Sequence, residues 1–388
     1  MTSNSTLVGE PAQAPAGMAG TGADAVRALR PRSGAPLRVD VPADHPFVMV
    51  MRDDTAYCVR ELTGRIAIRS PVPRAHLAAA VRAGYQRFRQ ELRDELCHAV
   101  VRPHGTVFHL VQPEALERAV RGRVGDRALI SLDPLVTRAH GQLRLSRGFL
   151  LGGTRCVGLV PRPGGPPLAD QLGALRKDLA GVECELVEDD MCTGGTVAAA
   201  VRLLRAADIR VTRVVPGIRL TVPGETSLAG VPVEPVIDYR VLHRDAVELT
   251  DSRNYLLGVS GLVVRLPQLR WGRAPYWLPF VSTAARAGIH PGMEQAFARR
   301  MLEANARFFA DVEQAARCPL LVGSLPPSGQ QVLTSLGMAW QSTPVRAVLE
   351  RLAAHLDRYI EAVQRLGRDE AGVGAGAGVG AGAGAGAS

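Results

Sequence analysis

The sequence predicts an α/β protein: a parallel sheet flanked by helices, with extra, mainly helical segments toward the two ends. Three observations carry this expectation. Strand-length apolar runs recur at 156–160 (CVGLV), 184–187 (CELV), 211–215 (VTRVV) and 231–239 (VPVEPVIDY), separated by loops and helical patterns. Strands that alternate with helices form parallel sheets covered by those helices. Residues 182–207, VECELVEDDMCTGGTVAAAVRLLRAA, place acids where a strand ends and glycines where a helix begins, the arrangement of an α/β ligand crevice. Without its low-complexity ends the chain keeps about 330 residues, enough for one large α/β domain and an extension.

The elements follow in chain order. Residues 1–40 mix Ala, Gly, Pro and Ser without apolar periodicity, and disorder is expected there. The start, MTSNSTLVGEPAQ, lacks the basic and apolar regions of a secretory signal. An α/β domain is expected over 41–245. It opens with short apolar runs (FVMVM, RIAI) and a helical pattern from Pro73 to Val101, where Leu77, Val81, Tyr85, Phe88 and Leu92 fall at spacings of three and four. Residues 246–368 read as a partly helical extension, with helical patterns near 292–316 and 343–366. Residues 369–388 form a Gly/Ala tail that cannot bury a core, so disorder is expected again.

Composition narrows the function. The chain of 388 residues carries a net charge of +9, and Lys177 is its only lysine. The arginines are dispersed, without a dense basic block or interleaved aromatics, which argues against nucleic acid as the partner. An anionic small substrate fits better, since arginine forks match phosphate geometry. No run reaches the ~18 apolar residues of a membrane helix, and a cytoplasmic protein is expected. The six cysteines include no CxxC pair, so neither a zinc knuckle nor a disulfide framework is indicated. Cys156 and Cys184 lie in apolar runs where a thiol acts as a small hydrophobe.

The stretch 182–207 holds the most chemistry. Glu188 and Asp189 end the strand, and Cys192, Thr193, Gly194, Gly195 and Thr196 lead into a helix marked by Val197, Val201 and Leu204. Acids at the carboxyl end of a parallel strand point into the ligand crevice. The glycines let backbone close around an anion, and the free N–H groups of the first helical turn bind phosphate. Thr193 and Thr196 add hydroxyl donors. The bland alternative is an acidic turn closed by glycines before an ordinary helix.

This stretch resembles the signature of type I phosphoribosyltransferases, which bind 5-phosphoribosyl-1-pyrophosphate (PRPP), in its orotate-like version with a Glu-Asp pair. The resemblance implies that Glu188 and Asp189 hold the ribose hydroxyls near the anomeric carbon and that residues 192–196 hold the 5-phosphate. Upstream, VGLVPRPGGPPLADQL (157–172) is similar to the family's pyrophosphate loop, which follows the first core strand. That likeness assigns Arg162, Pro163, Gly164 and Gly165 to the pyrophosphate, with Mg²⁺ bridging its oxygens and held mainly through PRPP. The other reading of these residues is a Pro/Gly surface turn. Downstream, RLTVPGETSLAGVPVEPVID (219–238) repeats the strand–loop–strand order of orotate-like members. The likeness covers about 150–240 and is specific over about thirty residues.

The sequence also departs from the pattern. Arg162 and Glu188 are only 26 positions apart, so the mobile loop that closes over PRPP is shortened or supplied from elsewhere. Arg176 and Lys177 lie in the gap, either as its remnant on the pyrophosphate or as a solvated helix end. Asp190 adds a third acid. His98, His104 and His109 look metal-like but have no carboxylate at matching spacing, and scattered histidines are the simpler reading. Residues 256–289 gather Arg265, Arg270, Arg273, Tyr276 and Trp277, as an acceptor pocket with stacking aromatics or as a strand hairpin on the core. Residues 130–149 offer Asp133, Arg138, Arg144 and Arg147; an arginine here either replaces the missing contacts of the shortened loop or is an ordinary surface group.

The sequence therefore implies a Mg²⁺-dependent transferase moving phosphoribose from PRPP to a small-molecule acceptor, with a homodimer left open. The alternative is a PRPP- or nucleotide-sensing regulator on the same fold.

Overall fold

The computed structural model describes residues 26–29, 35–100, 102, 105–133, 136, 139–152, 155–284 and 287–376. The chain runs through β1 (Val26–Leu29), β2 (Leu37–Val41), β3 (Phe47–Arg52), α1 (Thr55–Ile66), α2 (Arg74–Ala99), β4 (Thr106–Val111) and α3 (Pro113–Arg121). There follow β5 (Ala128–Ser131), β6 (Gly141–Gln142), β7 (Leu145–Phe149), β8 (Cys156–Pro161), α4 (Leu168–Leu179), β9 (Glu183–Met191), α5 (Gly195–Ala206) and β10 (Arg210–Thr221). The last part holds β11 (Ser227–Leu228), β12 (Val231–Pro232), β13 (Ile237–Val241), β14 (Val247–Asp251), β15 (Leu262–Leu266), β16 (Arg270–Ala274), α6 (Glu294–Ala316), α7 (Pro327–Ser335), α8 (Val345–Ala354) and α9 (Leu356–Gly376).

The α/β class holds, but the architecture has two parallel sheets instead of one. Sheet A has the order β1-β4-β3-β14 and sheet B the order β2-β13-β10-β9-β5-β6, with every pairing parallel. The cause is visible in β3, FVMVMR, whose six residues are all buried. A strand apolar on both sides needs cover on both faces. Phe47, Met49 and Met51 pack with α1, α2 and α6. Val48 and Val50 pack instead against Val187, Val215, Ile237 and Tyr239 of sheet B. Sheet B turns its other face, Cys184, Leu186 and Val214, to α4 and α5. The layers are helix, sheet, sheet, helix. His109 on β4 meets the Tyr239 hydroxyl on β13 at 2.8 Å, tying the two sheets directly.

Several sequence expectations are corrected. Residues 1–40 are not wholly unstructured: β1 extends sheet A, and β2 pairs with β13 from Leu37↔Ile237 to Val41↔Val241. The β2 residues alternate, and their order comes from the ladder of a distant strand, which local composition does not report. Residues 65–68, one of the short apolar runs, end α1 and enter a turn. The run 156–160 is a strand, but β8 pairs antiparallel with β7, in a third sheet of order β16-β15-β7-β8. Cys156 is exposed there, unlike the buried Cys184. The stretch 231–239 divides into β12 and β13, and 343–366 into α8 and α9 at His355. The Gly/Ala tail begins as helix, since α9 continues to Gly376; the rest of it lies outside the described residues.

Residues after 245 share the core of those before it. β14 pairs with β3, and Phe297 and Phe308 of α6 enter the same cluster as Met49 and Tyr85. No described helix is long and apolar enough to cross a membrane.

Candidate functional site

Ligand sites of parallel sheets form at their carboxyl ends, where neighbouring connections leave in opposite directions. Sheet B has such a point between β5 and β9. From β5 the chain moves outward to β6 and then returns on the other side of β5 to make β9. Asp133 follows the end of β5, and Glu188 and Asp189 lie near the end of β9. One carboxylate oxygen from each of the three lies within 4.8 Å of the others. Ser131 is the last β5 residue paired with β9, so the acids project beyond the ladder on that side.

Sheet A supplies the opposite wall. β3 ends in Arg52, followed by Asp53 and Asp54, and β14 ends in Asp251. Arg52, 5% exposed, binds Asp54 at 3.3 Å and Asp251 at 2.8 Å, and its third contact crosses to Asp189 of sheet B. Arg253 stands beside it, 2.9 Å from Asp251 and 3.7 Å from Asp54, with its guanidinium 4.5 Å from the centre of the Tyr57 ring. The Arg253 Nε is buried without a hydrogen-bond partner. Tyr57 and Thr55 come from the first turns of α1, and Arg89 of α2 binds Asp53.

These environments separate the acids chemically. Burial pushes every carboxyl up, but Arg52 and a hydrogen bond from Glu188 hold Asp189 below the ordinary range. Glu188 goes well above it, from burial and from the charges of Asp189 and Asp133. Asp190 is likewise raised by burial and by Asp189 and Asp251. Burial brings Asp54 to about 6 against the pull of Arg253 and Arg52. The proton affinities of neighbouring acids are thus pushed in opposite directions, a pattern typical of functional sites.

A consequence for stability follows. Glu188 binds its proton more tightly in the folded chain than in the unfolded one, so folding loses stability as pH rises from the unfolded value of about 4.3 through the raised one. Glu188→Gln is expected to raise stability at pH 8 by about 1 kcal/mol, with a smaller gain at pH 5, as relief of strain at a functional site does. Urea denaturation at the two pH values checks this.

The Thr193–Thr196 loop has the expected form. β9 ends at Met191, Gly194 stands as N-cap with φ +71°, and α5 starts at Gly195. A side chain at Gly194 would fall 2.9 Å from Leu228 in a left-handed backbone, so glycine is required there. Cys192 and Thr193 are exposed. Arg244 donates from Nε to the Cys192 carbonyl at 3.3 Å and pairs with Glu225.

The proposed pyrophosphate loop has a different setting. Arg162 does reach the acids, 3.2 Å from Asp133, and also donates to the Leu145 carbonyl at 3.0 Å. Residues 162–165, however, follow an antiparallel strand and close a tight turn, in which the Gly165 amide donates to Arg162 O at 2.8 Å. Gln171 ties this turn to Arg144 and to Pro166 O. Pro163 and Gly164 belong to that turn, and Gly164 is exposed. Lys177 is exposed in the last turn of α4, without an ion pair or hydrogen bond among the described residues. β9 has two parallel neighbours, β10 and β5, and Asp133 follows the end of β5.

Other sequence candidates resolve as follows. Trp277 is fully buried, donates from Nε1 to Tyr255 O at 3.0 Å and packs edge-on against Phe280; it belongs to the core. The 256–289 stretch does contain a hairpin, β15–β16. Arg144 and Arg147 are exposed, His98 is exposed, and His104 and Arg138 lie outside the described residues. Sequence reasoning missed Arg52, Asp54, Asp251 and Arg253. The signal was present: MRDD follows the apolar FVMV and TDSRN follows VEL, both with charged groups where a strand ends, as in VEDD.

Comparison of the chain with protein-family models, curated proteins and solved structures found no match in any of the three.

Proposed function

We propose that the chain is a phosphoribosyltransferase that takes PRPP with Mg²⁺ and transfers its ribosyl phosphate to a small acceptor. The observation that carries this reading is the juxtaposition, on one strand-to-helix connection, of the Glu188–Asp189 pair with the Thr193–Thr196 loop at a topological switch point. Such a connection offers hydroxyl-binding acids and a phosphate cradle a few residues apart.

Each residue has a separate task in this reading. Asp189, kept ionised by Arg52, and Glu188 accept hydrogen bonds from the two ribose hydroxyls. The free amides of Gly195 and Thr196 and the threonine hydroxyls bind the 5-phosphate. Bond formation draws the acceptor's electron pair to the anomeric carbon while the carbon–oxygen bond to pyrophosphate breaks with its own pair. The carboxylates stabilise positive charge developing on the ring. Asp133, Glu188 and Asp189 are hard oxygen donors suited to Mg²⁺, which when bound supplies charge neutralisation at the leaving pyrophosphate. Arg162, anchored on Asp133, adds a fork for the same group.

The test is titration calorimetry of the intact chain with Mg–PRPP, followed by pyrophosphate release across bases, aromatic acids and amino sugars. Asp189→Asn is expected to lower kcat/KM by about 10²-fold, the usual effect of losing one electrostatic contact to the transition state. Absence of PRPP binding to the unaltered chain overturns the reading. The ion pair between Arg52 and Asp189 favours a second reading, a PRPP-responsive regulator in which binding replaces that internal pair. Tight PRPP binding with no turnover on any acceptor would select it.

A further inference from the structure

The amino end of sheet B carries a cavity that the chemistry above does not use. It measures about 550 Å³, within the range of small-molecule sites. Its floor is Glu185 of β9, about 10 Å along the strand before Glu188 at a rise of about 3.3 Å per residue. Glu185 is 1% exposed and bonded on both oxygens, to the Gly125 amide at 2.9 Å and to Arg213 Nη2 at 2.6 Å. Arg213 also donates to the Arg123 carbonyl at 2.8 Å and to Glu234 at 2.7 Å. A buried carboxylate paired in this way holds the floor in one geometry before any ligand arrives.

The rim is different, because its charges face water and are only partly matched. Asp126 and Arg127 come from the β5 side, in the segment that enters that strand. Asp126 is exposed and has no ion pair or hydrogen bond among the described residues. Arg127 is also exposed, and its ion pair is a 3.2 Å contact from Nε to Glu183, a carboxylate shared with Arg210. Glu234 stands on the β10 side, where its amide donates to Val214 O at 2.9 Å, and it too is exposed. Two carboxylates and one guanidinium thus line the same opening. A ligand of a single sign meets a like charge there, which costs affinity. A ligand carrying both signs finds a partner for each.

We propose that this cavity binds a free α-amino acid, with its ammonium group between Asp126 and Glu234 and its carboxylate on Arg127. The ammonium carries three donors and uses two carboxylates better than one. The guanidinium fork matches the planar carboxylate with two parallel hydrogen bonds. Thr212 and Pro232 complete the lining and leave room for a side chain. No residue of this site belongs to the transfer crevice, so amino-acid binding does not depend on the PRPP reading.

The experiment is titration calorimetry of the intact chain with each standard L-amino acid, with inorganic phosphate and spermidine as probes of a single sign. At least one amino acid is expected to bind with a Kd below about 1 mM. Its amide lacks the carboxylate and its N-acetyl derivative lacks the ammonium. Each of these is expected to bind at least about tenfold more weakly, the size of one charge-assisted contact. Asp126→Asn and Arg127→Gln are expected to weaken the amino acid to the same degree without moving the melting temperature, because both side chains are exposed. No amino acid bound at that level, or equal binding of the amide or the N-acetyl derivative, overturns the site. Phosphate or spermidine binding as tightly as the best amino acid overturns it too, and shows a site for one charge. Affinity that survives in the double variant Asp126→Asn, Arg127→Gln places the amino acid elsewhere and removes the proposal.

Discussion

Replacing Arg52 with methionine is expected to cost about 3–5 kcal/mol, the range for removing one partner of a buried ion pair. Arg52 touches acids of both parallel sheets: Asp54 and Asp251 on the side of sheet A and Asp189 on that of sheet B. Methionine fills much of the volume, so the loss is electrostatic rather than a cavity. Arg253 still serves Asp54 and Asp251, but Asp189 loses its main counter-charge. The sign of the pH dependence follows. In the parent chain Asp189 is held below its ordinary value, and that contribution is present above the unfolded pKa of about 3.9 and lost as pH falls through the folded one. In Arg52→Met burial acts on Asp189 without that opposition and its pKa rises. The variant should therefore be most damaged at pH 8 and recover toward pH 5 as the carboxyl takes up a proton. Arg52→Lys keeps the charge but not the three-way fork, and is expected to fall between the two. Urea denaturation at both pH values measures the effect; equal loss at pH 5 and 8 would mean that packing, not charge, explains it.

Removal of residues 1–41 is expected to prevent folding. The deletion takes β1 from the edge of sheet A and β2 from the edge of sheet B. It strips Leu29 and Val41, 2% and 3% exposed, from the core between the sheets, and these alone represent about 3–6 kcal/mol of burial. It also uncovers the β13 edge beside the fully buried Tyr239. A whole domain is stable by only about 5–15 kcal/mol, so little margin remains. Circular dichroism and size exclusion of the shortened chain check this, and a cooperative melt at the parent temperature would show that the two strands are dispensable.

What the sequence reveals follows from the range of each interaction. Helix α2 was legible because its buried residues repeat within the element itself, and α2 spans Arg74–Ala99 as the periodicity from Pro73 predicts. The β9–loop–α5 unit was legible for a similar reason: strand, acids, glycines and helix are contiguous. The second parallel sheet was not, because an apolar run such as FVMVM states that both faces are buried without stating what covers them. β2 was hidden by its composition, since its partner lies about two hundred positions away. The site followed the same division. Glu188 and Asp189 lie in one contiguous stretch, whereas Arg52 and Asp251 belong to separate segments that only the fold brings together. The antiparallel pairing of β8 explains why a Pro-Gly-Gly turn that resembles a phosphate loop by sequence is a tight turn with its Gly165 amide already engaged.

The pairing of β3 with β14 also sets a schedule for synthesis. Arg52 and Asp251 are 199 residues apart, and at about 5–20 residues per second the ribosome needs roughly 10–40 s to pass from one to the other. Throughout that interval β3 has been made while one of its two neighbours does not yet exist. Its charged end stays hydrated at no cost, but its apolar body presents an open strand edge, the kind of surface that invites pairing with another nascent chain. Vectorial folding from the N-terminus is therefore blocked at sheet A. Chains should become protease-resistant in one late step, after residue 251 has emerged, with chaperone occupancy concentrated before it.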